Sequence, residues 1–309
     1  MHVLITGSAG FLGSHLVTKF LAEGHEVTGL DDFSTGNYKN MLNFIKNRNF
    51  NFIEGDVRDK IDLNVDLIMN FACPASPKAY QLDPVRTIET NFLGIINLLQ
   101  LAKRSGAKLL QASTSEVYGD PAESPQKESY WGNVNPVGIR SCYDEGKRAA
   151  ETLCFDYKRQ FGVDARVVRI FNTYGPNMAV DDGRVVSNFI NQAIRNEPIT
   201  IYGDGAQTRS FCYVSDLIIG IYKIAILEKP LETPINLGNP AEYSIKTLAE
   251  LIINLSESNS SLVNKLLPQD DPKQRRPDVT LAEKLIEWSP DVSLSQGLKT
   301  TIDYFISIK

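Results

Sequence analysis

The sequence predicts an α/β fold in which helices cover both faces of a doubly wound parallel sheet. Short apolar runs rich in β-branched residues alternate with amphipathic stretches through the first two-thirds of the chain. The apolar runs are continuous rather than alternating, which is typical of strands that are buried on both faces. A glycine-rich turn also joins the first run to the first helical stretch. Strands and helices that alternate in this order form parallel sheets with crossover helices.

Six apolar runs are the predicted strands of this sheet. They lie at 2–6, 26–31, 50–54, 66–71, 107–112 and 165–171. The clearest helix between them covers about 84–104, where Asp83 suits the N-cap and Pro84 the first turn. Apolar residues then recur at three- and four-residue spacing, as on one face of a helix. They are Val85, Ile88, Phe92, Ile95, Ile96 and Leu99.

The last third of the chain is less regular and predicts a smaller, interleaved substrate domain. We expect a Rossmann-type domain over 1–171 and a mainly substrate-binding domain over 172–309, with some elements returning to the first domain. Helices remain plausible near 185–196, 214–228, 244–257 and 294–306. The segment 120–140 is rich in Pro, Gly and Asn, and long irregular segments of this kind are often functional.

Composition excludes several classes of protein. The 309-residue chain has a net charge of −5 and a pI of about 5.4, and it has no Lys/Arg cluster, so we expect no nucleic-acid partner. No apolar run approaches the ~20 residues of a membrane span, so no membrane association is predicted. The four cysteines lack a CxxC pair, which indicates reduced thiols in a cytoplasmic protein. The three histidines all lie within the first 25 residues, so neither a histidine base nor a metal site is predicted.

Gly7, Gly10 and Gly13 form a GxxGxxG pattern between the first strand and the first helix. Glycines permit a tight turn and let the backbone approach a pyrophosphate at the positive end of the helix. The pattern alone is weak, but its place between a strand and a helix strengthens it. The second strand ends at Asp31, 18 residues after Gly13, and Asp32 follows. A carboxylate there accepts hydrogen bonds from ribose hydroxyls and repels a 2′-phosphate, which favours NAD over NADP.

Asp56 and Val57 follow the third strand, where an adenine ring would be recognised. For Asp56 the alternative is an ordinary solvated turn residue. Both residues follow the carboxyl end of one predicted parallel strand, and the carboxyl ends of parallel strands form the edge where such sheets bind ligands.

Tyr143 and Lys147 are candidates for proton transfer. Their i, i+4 spacing places them on one face of a helix, although such pairs also decorate surfaces. They follow the fifth strand, which carries Thr114 near its end. The pKa of a tyrosine is near ~10, and a neighbouring ammonium and a cationic nicotinamide would lower it. The set therefore predicts hydride transfer, in which Tyr143 takes a hydroxyl proton and NAD⁺ takes the hydride.

These motifs resemble the extended short-chain dehydrogenase/reductase family, and within it the UDP-glucuronate decarboxylases. The similar stretches cover nearly the whole chain. They are ACPASP (72–77), STSEVYGDP (113–121), YWGNVNPVG (130–138), RSCYDEGKR (140–148), RIFNTYGPNM (169–178), DDGRVVSNF (181–189), YGDGAQTRSF (202–211) and DDPKQRRPD (270–278). Two positions depart from the family pattern, since Ser8 replaces a common Gly and Asp32 a common Asn.

The resemblance implies the following site residues. Cofactor contacts are expected from Gly7, Gly10, Phe11, Leu12, Gly13, Asp31, Asp32, Thr35, Asp56, Val57, Ala72, Thr90, Tyr143, Lys147 and Thr173. Substrate contacts are expected from Ser76, Asn172, Arg184, Val186, Tyr202, Arg209 and Arg275. In this scheme Asn172 and Arg209 hold the diphosphate with help from Arg275. Surface ion pairs are the alternative for these arginines, and the group that binds the sugar carboxylate stays open.

The residues after Thr114 favour one reaction within the family. Nucleotide-sugar 4,6-dehydratases carry Asp-Glu there, whereas this chain has Ser115 and Glu116, so an acid that expels water is missing. We therefore expect C4 oxidation of UDP-glucuronate, loss of CO₂ and re-reduction to UDP-xylose, with Thr114, Ser115, Glu116, Tyr143 and Lys147 as the catalytic set. The alternatives are a nucleotide-sugar 4-epimerase, a dTDP-glucose 4,6-dehydratase, or a non-catalytic sensor of NAD or nucleotide sugars.

The resemblance also implies a homodimer that includes the helix of Tyr143 and Lys147. Apolar residues along that helix fit such an interface or a core equally well. They are Leu153, Phe155, Tyr157 and Phe161.

Overall fold

The structure is a computed structural model that describes residues 1–266 and 274–309. The motif at 270–278 therefore lies partly outside the described residues, because its first four positions, 270–273, fall in the gap.

Strands and helices alternate along the described chain. The strands are β1 (His2–Thr6), β2 (Glu26–Asp31), β3 (Phe50–Glu54), β4 (Leu67–Asn70), β5 (Lys108–Thr114), β6 (Ala165–Ile170), β7 (Thr173–Tyr174), β8 (Ile199–Tyr202), β9 (Thr208–Ser210), β10 (Cys212–Tyr213), β11 (Ile235–Leu237), β12 (Glu242–Ser244), β13 (Leu262–Lys265) and β14 (Gln274–Arg275). The helices are α1 (Phe11–Ala22), α2 (Pro77–Leu82), α3 (Pro84–Ser105), α4 (Ser141–Phe161), α5 (Val185–Ile194), α6 (Val214–Ile226), α7 (Ile245–Leu255), α8 (Thr280–Ile286) and α9 (Leu294–Ser307). Short 3₁₀ helices lie at Tyr38–Met41 and Ser115–Tyr118.

Seven strands form the main sheet, in the order β11-β6-β5-β4-β1-β2-β3, and every pairing in it is parallel. The chain builds outward from β1 to β3, then crosses to β4 on the other side of β1. The strand order thus reverses between β1 and β4, and the carboxyl ends of strands at such a point form a ligand-binding crevice. The predicted doubly wound sheet is confirmed.

The sheet is covered on both faces, as the continuous apolar runs predict. Successive side chains of a strand point to opposite faces. On β1, Val3 and Ile5 join the core on one face with α1 and α6, whereas Leu4 joins the core on the other face with α3 and α4. All three side chains are fully buried.

The bounds of α3 follow from local chemistry. The Asp83 side chain accepts a hydrogen bond from the backbone N–H of Arg86 at 3.0 Å, and Pro84 occupies the first turn. Gly106 ends the helix with φ +71°, a left-handed conformation that suits glycine. The predicted helix over 84–104 is confirmed at both ends.

The last third of the chain contributes to two places. β11 returns to the main sheet beside β6. The sequence pattern did not predict this strand. Elsewhere α5, α7 and α9 pack around a separate apolar cluster that includes Ile190, Leu248 and Leu298. The division at residue 171 stays a prediction. Among the described residues, no helix is long and apolar enough to cross a membrane.

Candidate active site

The glycine turn after β1 is shaped for close approach to an anion. Gly7 has φ +70°, and a Cβ there would lie 2.6 Å from Phe71 O. A Cβ on Gly13 would lie 1.9 Å from Gly7 O, so only glycine fits either position. α1 begins after Gly10 without any side-chain cap, which leaves its first N–H groups available to a ligand. The turn therefore fits the diphosphate of a dinucleotide.

Asp31 and Asp32 lie at the end of β2 beside this turn. The Asp31 carboxylate accepts hydrogen bonds from the backbone N–H of Ala9 at 2.8 Å and of Phe33 at 2.9 Å. Burial raises the pKa of Asp31, and these two donors act against that shift. Asp32 pairs with Arg86 at 2.6 Å. Both carboxylates thus hold the loop that borders the crevice.

Asp56 is more constrained than a solvated turn residue. Arg58 donates to it from Nε at 3.0 Å and from Nη2 at 2.8 Å, and these hydrogen bonds lower the pKa of Asp56. Val57 is buried against α3. It packs closely on Gly94 of that helix, since a Cβ added to Gly94 would lie 2.8 Å from Val57 Cγ1.

The other predicted cofactor residues differ in exposure and in their hydrogen bonds. Phe11 and Leu12 lie half-buried in the first turn of α1, and Thr35 is exposed. The Ala72 N–H donates to Thr6 Oγ1 at 3.3 Å. The buried hydroxyls of Thr90 and Thr173 donate to backbone carbonyls at 2.8 Å and 2.9 Å.

The structure brings Thr114, Tyr143 and Lys147 together between β5 and α4. Thr114 is the last residue of β5 and is hydrogen-bonded to Tyr143. Lys147 Nζ donates to Ala112 O on the same strand at 3.0 Å and lies 5.7 Å from the centre of the Tyr143 ring. The Tyr143 ring stacks on Tyr80 of α2, with ring centres 5.1 Å apart and planes 9° apart.

The pKa of Tyr143 differs in direction from the sequence expectation. Burial raises it, the Cys73 thiol adds to the shift, and the hydrogen bond with Thr114 opposes it. The side chain is only 7% exposed, so a phenolate there loses most of its hydration. The described residues alone therefore hold Tyr143 as the neutral phenol.

Glu116 follows Thr114 at the strand end and lies between two arginines. The Thr114 hydroxyl accepts a hydrogen bond from the Glu116 N–H at 3.2 Å, which begins the 3₁₀ helix. The carboxylate pairs with Arg275 Nη2 at 3.1 Å and with Arg140 Nη2. Burial acts to raise the pKa of Glu116, but attraction by Arg275 and Arg140 outweighs it and lowers the pKa to about 2. The group is therefore a carboxylate at neutral pH.

Arg140 is the main site residue that the sequence motifs did not predict. Its position four residues before Asp144, at the start of α4, was the available signal, because i, i+4 charges face each other. Arg275 was expected to assist at the diphosphate, but the structure pairs it with Glu116 and leaves only 2% of its surface exposed.

The remaining predicted substrate residues differ in exposure and in their contacts. Arg209 is 8% exposed and close enough to Glu116 to lower its pKa. Arg184 pairs with Asp182, with Nη2 at 2.8 Å. Val186 packs inside the apolar cluster around α5, α7 and α9, which we call the C-terminal cluster, and Tyr202 is exposed.

Two further predicted substrate residues have hydrogen bonds within the protein. Ser76 is buried and caps α2 by accepting from Ala79 N–H at 3.4 Å. Asn172 is half-buried, and its backbone carbonyl accepts from Cys212 N–H at 2.9 Å. Ser115 is buried at the β5 end. Within 1–266 and 274–309, no group of His, Cys, Asp and Glu side chains could hold a metal ion.

Known proteins are similar in sequence to this chain over nearly its whole length. UDP-glucuronic acid decarboxylase 1 of Arabidopsis thaliana is 52% identical over 305 residues, which are 99% of this chain and 70% of that protein. UDP-glucuronic acid decarboxylase 1 of Xenopus tropicalis is also 52% identical, over 98% of this chain and 72% of its own.

Solved structures share the fold. The UDP-glucuronic acid 4-epimerase of Bacillus cereus, in complex with UDP-glucuronic acid and NAD, matches with a TM-score of 0.90 and 29% identity over 100% of both chains. The UDP-glucose 4-epimerase of Thermotoga maritima, with UDP-glucose, matches with a TM-score of 0.91 and 28% identity over 100% of this chain and 99% of its own.

A family model covers the part of the chain that contains the glycine turn, Thr114, Tyr143 and Lys147. It matches residues 3–238 and describes the NAD dependent epimerase/dehydratase family. The glycine turn fits the diphosphate of the NAD that this description names. The chain therefore belongs to the NAD-dependent epimerase/dehydratase family and uses NAD as its cofactor.

Proposed function

We propose that this chain is a UDP-glucuronate decarboxylase, which converts UDP-glucuronate to UDP-xylose and CO₂. The observation that carries the proposal is the end of β5, where Ser115 is a buried hydroxyl and Glu116 is ionised between two arginines. Neither side chain is a carboxylic acid that could protonate a leaving hydroxyl, which disfavours elimination of water. The 52% identity to proteins named UDP-glucuronic acid decarboxylase supports the same reaction.

The first step needs a base at the sugar O4. We assign this role to Tyr143, with Thr114 hydrogen-bonded beside it and Lys147 held against β5. Because burial raises the pKa of Tyr143, the phenol needs positive charge beside it before it can lose its proton. When bound, NAD supplies an oxidant for C4 that is regenerated within the turnover.

The second step needs no acid. UDP-glucuronate oxidised at C4 is a β-keto acid, so the carboxylate leaves as CO₂ and its bonding electron pair passes through C5 to O4. The hydroxyls of Tyr143 and Thr114 then stabilise the negative charge on O4 by donating to it. C5 then takes a proton from solvent, and return of the hydride to C4 and of the proton from Tyr143 to O4 gives UDP-xylose. We assign Glu116 to the sugar ring rather than to the C5 proton. Burial acts to raise its pKa, but Arg275 and Arg140 lower it to about 2, so its acid form is scarce.

The nucleotide is assigned to the crevice between the main sheet and the C-terminal cluster. Arg209 is the proposed diphosphate ligand together with Asn172, because a guanidinium matches two phosphate oxygens. Arg275 has a smaller share in this role than the sequence suggested, since Glu116 already occupies it.

We further propose a homodimer formed through α3 and α4. The outer face of these helices leaves large apolar side chains exposed, which marks an interaction surface. The exposed residues are Val85, Ile88, Phe92, Leu93 and Phe161, at 42–65%. Of the other residues predicted for this interface, Leu153, Phe155 and Tyr157 pack partly against the core. A cytoplasmic location is also proposed, since all four cysteines are free thiols.

A UDP-glucuronate 4-epimerase is the second candidate. The B. cereus enzyme of that name, with the same sugar acid bound, has a TM-score of 0.90 to this chain. An epimerase would share the C4 oxidation but would keep all six carbons of the sugar. We rank this candidate second because the chain is 29% identical to that epimerase and 52% identical to the A. thaliana decarboxylase.

The test is a product assay on the purified, NAD-saturated protein. UDP-glucuronate should be converted to UDP-xylose with release of one CO₂ per sugar, without net consumption of NAD. UDP-galacturonate as the product, without CO₂, would instead identify the epimerase. A folded protein that binds NAD and UDP-glucuronate but changes neither would refute both reactions.

A further inference from the structure

Asp144 is a buried carboxyl group that the proposed mechanism leaves unused. It follows Tyr143 in α4 and is 7% exposed. Its Oδ1 atom has no hydrogen-bond partner among the described residues. Its Oδ2 atom lies 3.9 Å from Arg140 Nε, which is longer than a hydrogen bond. Because a buried carboxylate with so few donors is costly, this site stabilises the neutral acid relative to the anion.

Asp144 shares Arg140 with Glu116. The Nη2 atom of Arg140 pairs with Glu116, whose other guanidinium partner is Arg275. Among the described residues, Arg140, Arg275 and Glu116 together carry a net charge of +1 while Asp144 is neutral, and Arg209, which is close enough to lower the pKa of Glu116, adds a further positive charge. An ionised Asp144 would remove one unit of that positive charge, so its proton changes how strongly the cluster attracts an anion.

The surroundings place this proton exchange near neutral pH. Burial raises the pKa of Asp144 to about 7, Glu116 adds to the shift, and Arg140 and Arg275 oppose it. Other titratable groups close enough to interact with its charge are Glu145 on the same helix, Tyr80 of α2, Tyr143 and Cys142.

The cluster borders the place of the sugar carboxylate. In the proposed function, Tyr143 and Thr114 contact O4, and the carboxylate carbon C6 is two bonds from C4. Glu116 and Asp144 are both close enough to Tyr143 for their charges to raise its pKa. An anionic group on C5 therefore meets the field of the Arg140–Glu116–Arg275 cluster, which is more positive when Asp144 is protonated than when it is ionised.

We propose that Asp144 is a specificity-determining residue, whose protonation sets the affinity of the site for the carboxylate of the sugar. The inference rests on the proposed function for the position of the substrate. With Asp144 neutral, the net positive cluster attracts the carboxylate. With Asp144 ionised, the attraction is weaker, and UDP-sugars without a carboxylate are unaffected.

The test is equilibrium binding to the NAD-saturated protein in a Tyr143→Phe background, which prevents turnover. The dissociation constants of UDP-glucuronate and UDP-xylose are measured by calorimetry at about pH 6 and about pH 8, on either side of the pKa of about 7. UDP-glucuronate should bind more weakly at the higher pH, by up to about tenfold, because roughly one molecule in ten then keeps the neutral acid. UDP-xylose, which has the same diphosphate, should show no such change.

Asp144→Asn in the same background should abolish the pH dependence for UDP-glucuronate and keep binding at its low-pH strength. Glu145→Gln is the matched control, since it removes the same charge one position along, where the carboxylate pairs with Arg148 at 3.5 Å. It should keep the pH dependence. An unchanged pH dependence in Asp144→Asn, or an equal one for UDP-xylose, would overturn the inference. UDP-xylose binding confirms that each variant is folded, and the CO₂ assay on the wild-type chain tests the proposed function separately.

Discussion

Replacing Glu116 with Gln tests the ion-pair cluster at the end of β5. The substitution keeps the shape of the side chain and removes the charge that Arg140 and Arg275 share. The lowering of the Glu116 pKa from 4.5 to about 2, against the effect of burial, corresponds to ~3 kcal/mol of stability at neutral pH. Loss of one partner from a buried ion pair has a similar cost, about 3–5 kcal/mol. The side chain is 16% exposed, so solvent screens it little.

The expected shift in Tm follows from the size of the chain. An unfolding entropy of about 2.1 cal/mol/K per residue, over 309 residues, makes ~3 kcal/mol equivalent to about 5 °C. Differential scanning calorimetry at equal NAD saturation measures it, since bound ligand raises Tm by itself. Glu145→Gln is the control, because its surface pair with Arg148 contributes less than ~1 kcal/mol.

The pH dependence has a definite sign. The folded-state pKa of Glu116 is lowered, so its contribution is complete above the unfolded value of 4.5 and disappears as the pH falls through about 2. The difference in stability between the wild-type chain and Glu116→Gln should therefore shrink as the pH falls below about 5. A Tm at neutral pH within about 1 °C of the wild-type value would refute the ion-pair argument.

Three other substitutions test the cofactor turn, the base and the dimer. Tyr143→Phe should reduce CO₂ release from UDP-glucuronate at least ~10²-fold, while calorimetry still detects UDP-glucuronate binding; unchanged turnover would exclude Tyr143 as the base. Gly13→Ala places a Cβ 1.9 Å from Gly7 O, so the purified protein should lose bound NAD, measured by absorbance after denaturation; normal NAD content would contradict the turn geometry. Phe92→Arg should give a monomer in sedimentation velocity, whereas Val137→Arg, on an exposed loop, should not; a Phe92→Arg dimer would place the interface elsewhere.

Local patterns predicted most elements of the main sheet. Strands β1 to β3 have the predicted bounds, since continuous apolar runs are sufficient to mark strands that are buried on both faces. β11 was missed because three residues, Ile235–Leu237, are too short to show a period. The pairing of β11 with β6 depends on a crossover that no local pattern contains.

The candidate site was predicted as a set of residues more fully than as a set of contacts. Thr114, Tyr143 and Lys147 meet as expected, because the end of a strand and one face of the next helix are close in any crossover of this kind. The lowered pKa expected for Tyr143 does not hold for the described residues, since burial dominates and its extent is invisible in the sequence.

The sequence by itself determined the α/β class, the glycine turn and the positions of the reactive side chains, because each depends on neighbours within a few residues. Only the tertiary structure decided the partners of Glu116. Arg275 lies 159 residues away along the chain, and Arg140 reaches Glu116 from the start of α4. Charges that fold into a buried cluster interact through space, so their protonation states depend on distances and burial that the order of residues does not specify.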